Sequence, residues 1–494
     1  MRGSRATRQI LRAIASAAAY VLLLSAARAA PEAAALGPET GLAEAVNGFV
    51  GKLALEPAHG PAGTKVTARL EGMPPDRALE LAWRSVKGAW KAANGEYDGR
   101  EFKPVAYRIA TLRSDTSGRA SAEFTAPEDF GFMHDVVVQQ GSRLLTQSAF
   151  SLDMVVKLAP ESGPAGTPIQ VEIHGIGWRN LESSWLLRYD NHFTGWVSSV
   201  TQRGTAKFSI PATGAPGIHV LELMHGEFTF PYLNPQQNPV PDRPRFALQF
   251  RVTPGAAILP PSPPDQRQRA VRNLPPQGAL AATPRFARVG EAMAVRGTGF
   301  QPGRTYQLNW TTLTGNRVAA TSWEESSSAI SEARADPSGN LAFSFAVPDD
   351  LGGLHTLWVE EGGARKTGSL WVAPSALPLD RARGPAGTDF TIHLKGVGWT
   401  ETANIYTIVY DDSYIGYACG FNSHGDVTVH LKASGAPGWH FIDLYPAIYK
   451  GKETRPDNFR IPQLTYAADH PGEDLPGFHF AFEVTREEQR ASTP

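Results

Sequence analysis

Short runs along the chain alternate polar and apolar residues with period two. Thr388-Asp389-Phe390-Thr391-Ile392-His393-Leu394-Lys395-Gly396 is one such run, and residues 65–70 (KVTARL), 169–173 and 292–296 fill the same slot elsewhere. That period puts one side of an extended segment in a core and the other in water, and so predicts half-buried strands. After three of the four runs comes a Gly-x-Gly-aromatic turn: Gly175-Ile176-Gly177-Trp178, Gly297-Thr298-Gly299-Phe300 and Gly396-Val397-Gly398-Trp399. Glycine permits positive φ there, and the aromatic is expected to close one end of a core. The first run is followed by Gly72-Met73-Pro74-Pro75, which keeps only the first glycine. Tryptophans follow in Leu81-Ala82-Trp83 and Leu308-Asn309-Trp310. Asp115-Thr116-Ser117-Gly118 and Asp336-Pro337-Ser338-Gly339 then read as hairpin turns leading into further strands at 122–125 and 341–345.

The pattern is duplicated. Gly163-Pro164-Ala165-Gly166-Thr167 recurs as Gly384-Pro385-Ala386-Gly387-Thr388, an offset of 221 residues (163 to 384). At that offset, without a gap, Gly175, Gly177 and Trp178 meet Gly396, Gly398 and Trp399. Tyr189-Asp190 meets Tyr410-Asp411, Gly195 meets Gly416, and His219 meets His440. The preceding segments repeat too: Arg113, Asp115, Gly118, Pro127, Asp129, Gly131 and His134 match Arg334, Asp336, Gly339, Pro348, Asp350, Gly352 and His355. The order is A-B-A-B, with A1 at 52–153, B1 at 154–253, A2 at 281–373 and B2 at 374–485. A lead segment (30–51) precedes A1, and a short polar tail (486–494) follows B2. Between the halves, 254–280 contains Pro260-Pro261-Ser262-Pro263-Pro264 and Pro275-Pro276 and reads as a semi-rigid spacer.

Composition narrows the class. With 47 basic and 48 acidic residues there is no field to draw in nucleic acid or an anionic membrane surface. Glycine (48) and proline (39) alongside 42% apolar residues argue for many turns between short strands rather than for disorder. At the N-terminus, Arg2, Arg5, Arg8 and Arg12 precede the apolar stretch 13–27, and Ala27-Arg28-Ala29 fits a small-x-small cleavage site. Residues 1–29 thus read as a signal peptide, too short in its apolar part to span a bilayer, and export to the periplasm or beyond is expected. Cys419 is the single cysteine, so each sandwich has to be stable through its core; serine stands at the duplicate position.

The order Gly-Pro-Ala-Gly-Thr, strand, Gly-x-Gly-Phe/Trp, strand, Asp-x-x-Gly, strand, Gly-x-His, strand resembles the bacterial immunoglobulin-like repeats of the IPT/TIG type. The resemblance covers nearly the whole mature chain. It implies an all-β fold of four tandem immunoglobulin-like β-sandwich domains, used in that family as spacers, adhesive modules or carbohydrate-associated domains. Each B domain departs from a minimal repeat in a long extension, at 228–245 and 449–477.

Candidate chemistry concentrates in the B domains. Tyr189-Asp190-Asn191-His192-Phe193-Thr194-Gly195-Trp196 corresponds to Tyr410-Asp411-Asp412-Ser413-Tyr414-Ile415-Gly416-Tyr417, a hairpin loop with aromatics around carboxylates. One reading is turn chemistry, with Asp accepting backbone N–H bonds and glycine supplying positive φ. The other is a ligand-binding surface made by Tyr189, Asp190, His192, Trp196, Tyr410, Asp411, Asp412, Tyr414 and Tyr417, stacking sugar rings or gripping a peptide. The spacing of Asp411-Asp412 matches no calcium loop of the EF-hand or RTX kind. His134, His219, His355 and His440, one per domain, are expected to be corner residues rather than metal ligands. No nucleophile elbow, zinc motif, P-loop or dinucleotide fingerprint is present, although single acidic residues suffice for a glycosidase-like pair. No cofactor is expected. The expected role is a non-enzymatic binding or scaffold protein for an envelope protein or polysaccharide, with a plain structural spacer as the alternative.

Overall fold

The computed structural model describes residues 35–46, 48–93, 95–226, 230–237, 243–262, 274–315, 323–449 and 460–486. The predicted signal peptide, the middle of the proline-rich segment, parts of both B-domain extensions and the polar tail lie outside the described residues.

The chain forms four immunoglobulin-like β-sandwiches in A-B-A-B order, each a three-stranded sheet facing a larger one. In B1 the small sheet runs Val155–Ala159, Pro168–His174, Ala206–Pro211. The large one runs Ser162–Gly163, Phe246–Val252, Gly217–His225, Trp185–Tyr189, His192–Val197. B2 repeats this order, with Ser375–Ala376, Asp389–Lys395, Val427–Lys432 facing Arg383–Pro385, Phe478–Thr485, Gly438–Ala447, Ile405–Tyr410, Ser413–Cys419. A2 has the same plan. In A1 the large sheet has seven strands, because the lead segment adds Glu39–Thr40 along Tyr107–Ala106 and Glu44–Ala45 along Arg143–Leu144.

The alternating runs form the strands they predict: Lys65–Glu71, Pro168–His174, Ala292–Gly297 and Asp389–Lys395. In each, every second side chain is buried against the facing sheet, as with Phe390, Ile392 and Leu394. Trp83 and Trp310 lie fully inside the A-domain cores. The Gly-Pro-Ala-Gly-Thr turn is held by its own threonine: Thr167 Oγ1 donates to Pro164 O at 2.7 Å and Thr388 Oγ1 to Pro385 O at 2.6 Å. Thr64 does the same to Pro61 O at 2.7 Å, so A1 carries a third copy in Gly60-Pro61-Ala62-Gly63-Thr64.

Two local expectations are corrected. The Asp115 and Asp336 turns do not close hairpins, because the strands they join belong to opposite sheets. Each carboxylate instead accepts two amides at 2.8 Å, from Ser117 and Arg119 and from Ser338 and Asn340, as the chain crosses the sandwich. Among the Gly-x-Gly-aromatic turns, only Phe300 closes its own core. Trp178 turns outward onto Phe130 (5.9 Å between ring centroids) and His134 (4.9 Å) of the preceding A1 domain.

The tandem order does not give a row of beads. At each A–B junction the backbones touch: Gly131 N donates to Ile176 O at 3.0 Å, and Gly352 N donates to Val397 O at 3.1 Å. The hairpin of Ala78–Ala93 and Glu96–Arg113 is an arm of 16 and 18 residues, against 11 and 12 in the A2 counterpart, Thr305–Gly315 and Trp323–Arg334. At ~3.3 Å per residue it extends roughly 50 Å. It runs along B1, where Arg100 Nη1 donates to Ser183 Oγ at 3.0 Å. Its tip meets B2, where Tyr97 N donates to Glu401 Oε2 at 2.8 Å and Glu401 N to Gly95 O at 2.7 Å. B2 in turn packs on B1, placing Val409, Tyr445 and Leu464 within the cluster that contains the B1 core. The start of the proline-rich segment also lies on this assembly, with Ile258 N donating to Ala165 O at 2.8 Å.

Candidate binding surfaces of the B domains

The two Tyr-Asp hairpins are two-residue turns with positive φ at both central residues: Asp190 and Asn191 at 46° and 69°, Asp411 and Asp412 at 46° and 59°. Asp and Asn tolerate that region best after glycine, so the turn does not rely on Gly195 or Gly416 for it. The tyrosine just before each turn reaches across the sandwich. Tyr189 Oη donates to Thr213 O at 2.9 Å, and Tyr410 Oη donates to Ser434 O at 2.9 Å. Asp190 Oδ1 accepts from Val220 N and Oδ2 pairs with His219 Nδ1 at 2.5 Å; Asp411 accepts from Phe441 N and pairs with His440 in the same way.

The four repeated histidines occupy one structural position. Each Nε2 lies against the carbonyl of the residue four earlier: Phe130 at 2.6 Å, Ala215 at 2.8 Å, Leu351 at 2.7 Å and Ala436 at 2.8 Å. Each ring stacks on an aromatic of the neighbouring strand, Trp83 at 4.3 Å and Trp310 at 4.2 Å in the A domains, Tyr189 at 5.6 Å and Tyr410 at 5.8 Å in the B domains. Burial opposes charge on His440, but the hydrogen bond and charge of Asp411 outweigh it and raise its pKa. Among the described residues no group of three or more potential ligands is arranged to hold a metal.

Beyond the corners, the two hairpins face each other across the B1–B2 contact. Trp196 is fully buried; its backbone N–H donates to Pro462 O at 2.8 Å and its carbonyl accepts from Leu464 N at 2.9 Å, so the B2 extension caps the edge strand of B1. Gly195 makes room for this, since a Cβ there would stand 2.6 Å from Pro462 O. Asp412 is also fully buried, accepting from Thr213 Oγ1 at 2.7 Å while its carbonyl accepts from Thr194 Oγ1 at 2.6 Å. Burial, reinforced by Asp443, Asp411 and Asp190 and opposed by the Thr213 bond, pushes its pKa well above the usual carboxylate range. Tyr414 packs edge-on against Phe193 at 6.2 Å and donates to Arg460 O. Of the nine residues singled out in the sequence, His192 and Tyr417 are the ones facing solvent. Tyr189, Asp190, Tyr410 and Asp411 make corners, and Trp196, Asp412 and Tyr414 join domains.

Tyr417 is 41% exposed and lies on the edge strand Ser413–Cys419, next to Ile415, which is 50% exposed. Its ring approaches Tyr449 at 6.3 Å, which in turn approaches Phe421, and the guanidinium of Arg460 lies over both tyrosines. Cys419, partly buried, ends the same strand.

Two polar arrangements escaped sequence reading because their partners are far apart in the chain. Asp469, buried, accepts from Ser198 Oγ (2.6 Å), Val200 N, Thr201 N and Thr201 Oγ1 (2.8 Å each) of B1 and from Trp90 Nε1 (3.0 Å) of the A1 arm. Asp443, also buried, holds His479 Nδ1 at 2.6 Å beside a cleft of about 300 Å³ between B1, the linker and B2. Burial lowers the His479 pKa, but the Asp443 hydrogen bond and charge raise it further, for a net rise.

Neither a protein-family model nor a curated protein matches the sequence. Among solved structures, the chain is similar to a Salmonella alpha-2-macroglobulin reacted with methylamine (10% identity, TM-score 0.18), over 88% of this chain and 31% of that one. It thus spans about a third of that protein. An ICAM-5 D1-D4 ectodomain fragment is matched at 10% identity and TM-score 0.17, over 87% of this chain and 99% of the fragment. A Bacteroides ovatus mixed-linkage glucan utilization locus protein, SGBP-B, in complex with a mixed-linkage heptasaccharide, is matched at 11% identity and TM-score 0.16, over 67% and 70%. At these scores the similarities add nothing to the fold read from the sheets. No helix among the described residues is long and apolar enough to cross a membrane.

Proposed function

We propose that the protein is a non-enzymatic binding and scaffold component of the cell envelope or extracellular space, of the IPT/TIG type, and that it recognises a glycan or a protein through its B domains. The observation that carries this reading is the asymmetry between the two B hairpins. In B1 the edge strand is capped from within the chain at Trp196, whereas the equivalent Tyr417 in B2 stands exposed beside Ile415, Tyr449 and Phe421. A partly exposed aromatic group on an edge strand, with a guanidinium above it, suits a sugar face or an extended peptide. The export of the chain, read from residues 1–29, places that surface where envelope polymers are found.

The test is co-sedimentation of the full chain with isolated envelope polysaccharide, together with cross-linking in intact envelopes. Ile415→Ser combined with Tyr417→Ala is expected to lower retention at least tenfold. Unchanged retention in both assays would reject the B2 surface. A structural spacer is the second reading, favoured by the five hydrogen bonds that Asp469 accepts between domains. A spacer would lose function through Asp469→Ala and be indifferent to Tyr417→Ala.

A further inference from the structure

The duplication supplies an internal control for each junction, and the two A–B junctions differ. At A1–B1 four large side chains, Phe132, Arg179, Glu182 and Arg243, fill the angle between the domains. Phe132 lies beside Gly177, its Cδ2 2.7 Å from where a Cβ would stand. The Arg243 guanidinium covers the Phe132 ring at 4.3 Å and pairs with Glu182 at 3.2 Å. Arg179 covers Trp178 at 4.1 Å, donates to Met133 O at 2.9 Å and pairs with Glu182 at 3.4 Å. At A2–B2 the corresponding positions, 221 residues on, hold Gly353 for Phe132, Thr400 for Arg179 and Ala403 for Glu182. Three of the four fillers are thus truncated, and a cavity of about 260 Å³ opens there.

Its walls are not merely apolar. Trp371 and Leu354 line it from A2 and Trp399 from B2. Trp399 is braced by Trp323 at 5.8 Å. Glu473, supplied by the B2 extension, enters the cavity with its carboxylate steadied by Thr402 Oγ1 at 3.0 Å and Thr400 Oγ1 at 3.3 Å. A carboxylate has about four acceptor positions, so two hydroxyl bonds leave capacity for donors from a ligand. Among the described residues no lysine, arginine or histidine lines the cavity, and the Glu473 carboxylate itself repels an anion. The volume falls just under the range of about 300–1,000 Å³ typical of ligand pockets, a size for one ring.

We infer that the A2–B2 junction is a binding site for a neutral pyranose, with a CH face of the sugar against the indoles of Trp371 and Trp399 and adjacent hydroxyls donating to Glu473. Aromatic rings take the apolar face of a sugar, and an acceptor-only carboxylate takes its hydroxyls. The inference rests on the reading of B2 as a binding domain and names a ligand class at a second face of it.

Titration of the full chain with glucose, galactose, mannose, N-acetylglucosamine, cellobiose and maltose, followed by tryptophan fluorescence and calorimetry, tests it. At least one sugar is expected to bind saturably. Gly353→Phe, which copies the filling of the A1–B1 junction, is expected to weaken binding at least tenfold with an unchanged circular dichroism spectrum. Glu473→Gln, which keeps the shape and one acceptor, is expected to weaken it in the same direction. The inference is overturned if no sugar binds, if both variants bind like the parent, or if choline displaces the sugar's place as the saturating ligand, since two indoles and a carboxylate also suit an ammonium group. Failure here is separable from failure of the broader reading. Retention on envelope material that depends on Tyr417 without any sugar binding overturns this site alone. Sugar binding that depends on Gly353 with Tyr417-independent retention overturns the edge-strand surface alone.

Discussion

A histidine stacked on an aromatic ring holds the same corner four times, and in the B domains a tyrosine and an aspartate complete it. Removing one hydroxyl from this network should be felt. Tyr189→Phe leaves both Thr213 O and Thr213 N without the Oη that each contacts. We expect a loss of about 1–2 kcal/mol in urea unfolding. The charges add a pH dependence with a definite sign. The folded-state pKa of His440 is raised, so the stabilisation from its pair with Asp411 is complete below about pH 6.5 and is lost as pH rises through the raised value. Asp411→Asn keeps an acceptor for Phe441 N and should flatten that decline. Asp412 acts in the same direction for a different reason: its raised pKa means the folded chain keeps a proton that the unfolded chain releases above about pH 4. Stability is therefore lost as pH rises from there. Asp412→Asn, matching Asn191 in the duplicate, should raise the melting temperature at pH 7–8 and leave it nearly unchanged at pH 4.

At the scale of elements, glycines decide which surfaces can approach. A Cβ on Gly131 would stand 1.7 Å from Gly175 O, and one on Gly352 would stand 1.9 Å from Gly396 O. Backbone cannot yield that distance, so Gly131→Ala should open the A1–B1 junction. Hydrogen exchange at the amide of residue 131, which donates to Ile176 O across the junction, is expected to speed up while the amides inside Pro168–His174 keep their protection. Protected amides at the junction would refute it. The strands themselves were legible because period-two burial is written locally, one residue in two. The paired glycines were legible as repeats, but their purpose was not, since the atoms they admit lie on another domain. The hairpin turns at Asp190 and Asp411 were recognised as turns. That their aromatics would be covered was not visible, because Trp196 meets a partner, Pro462, hundreds of residues away.

The whole molecule closes on itself. The A1 arm crosses B1 and meets B2, and the B2 extension returns to cap B1. Asp469 sits where all three meet. Asp469→Ala leaves the buried Val200 N–H unpaired, at about 1–3 kcal/mol, and removes the contact point of three domains at once. Small-angle scattering should then show a larger radius of gyration with the far-ultraviolet spectrum preserved. An unchanged radius would mean that the apolar contact of Val409, Tyr445 and Leu464 with B1 holds the domains alone.

By itself the sequence determined the four repeats, their alternating strands, the histidine of each corner and the tyrosine and aspartate that join it in the B domains. These depend on neighbours within one domain, and duplication marks them by repeating them. Only the tertiary structure decided which of those residues still meet solvent. Burial at a domain junction depends on residues that no local period brings together, so Trp196 and its counterpart Tyr417, one pattern in the sequence, end in opposite environments. The same holds for the cavity at Gly353: three truncations scattered over fifty residues become one space only when A2 is laid against B2.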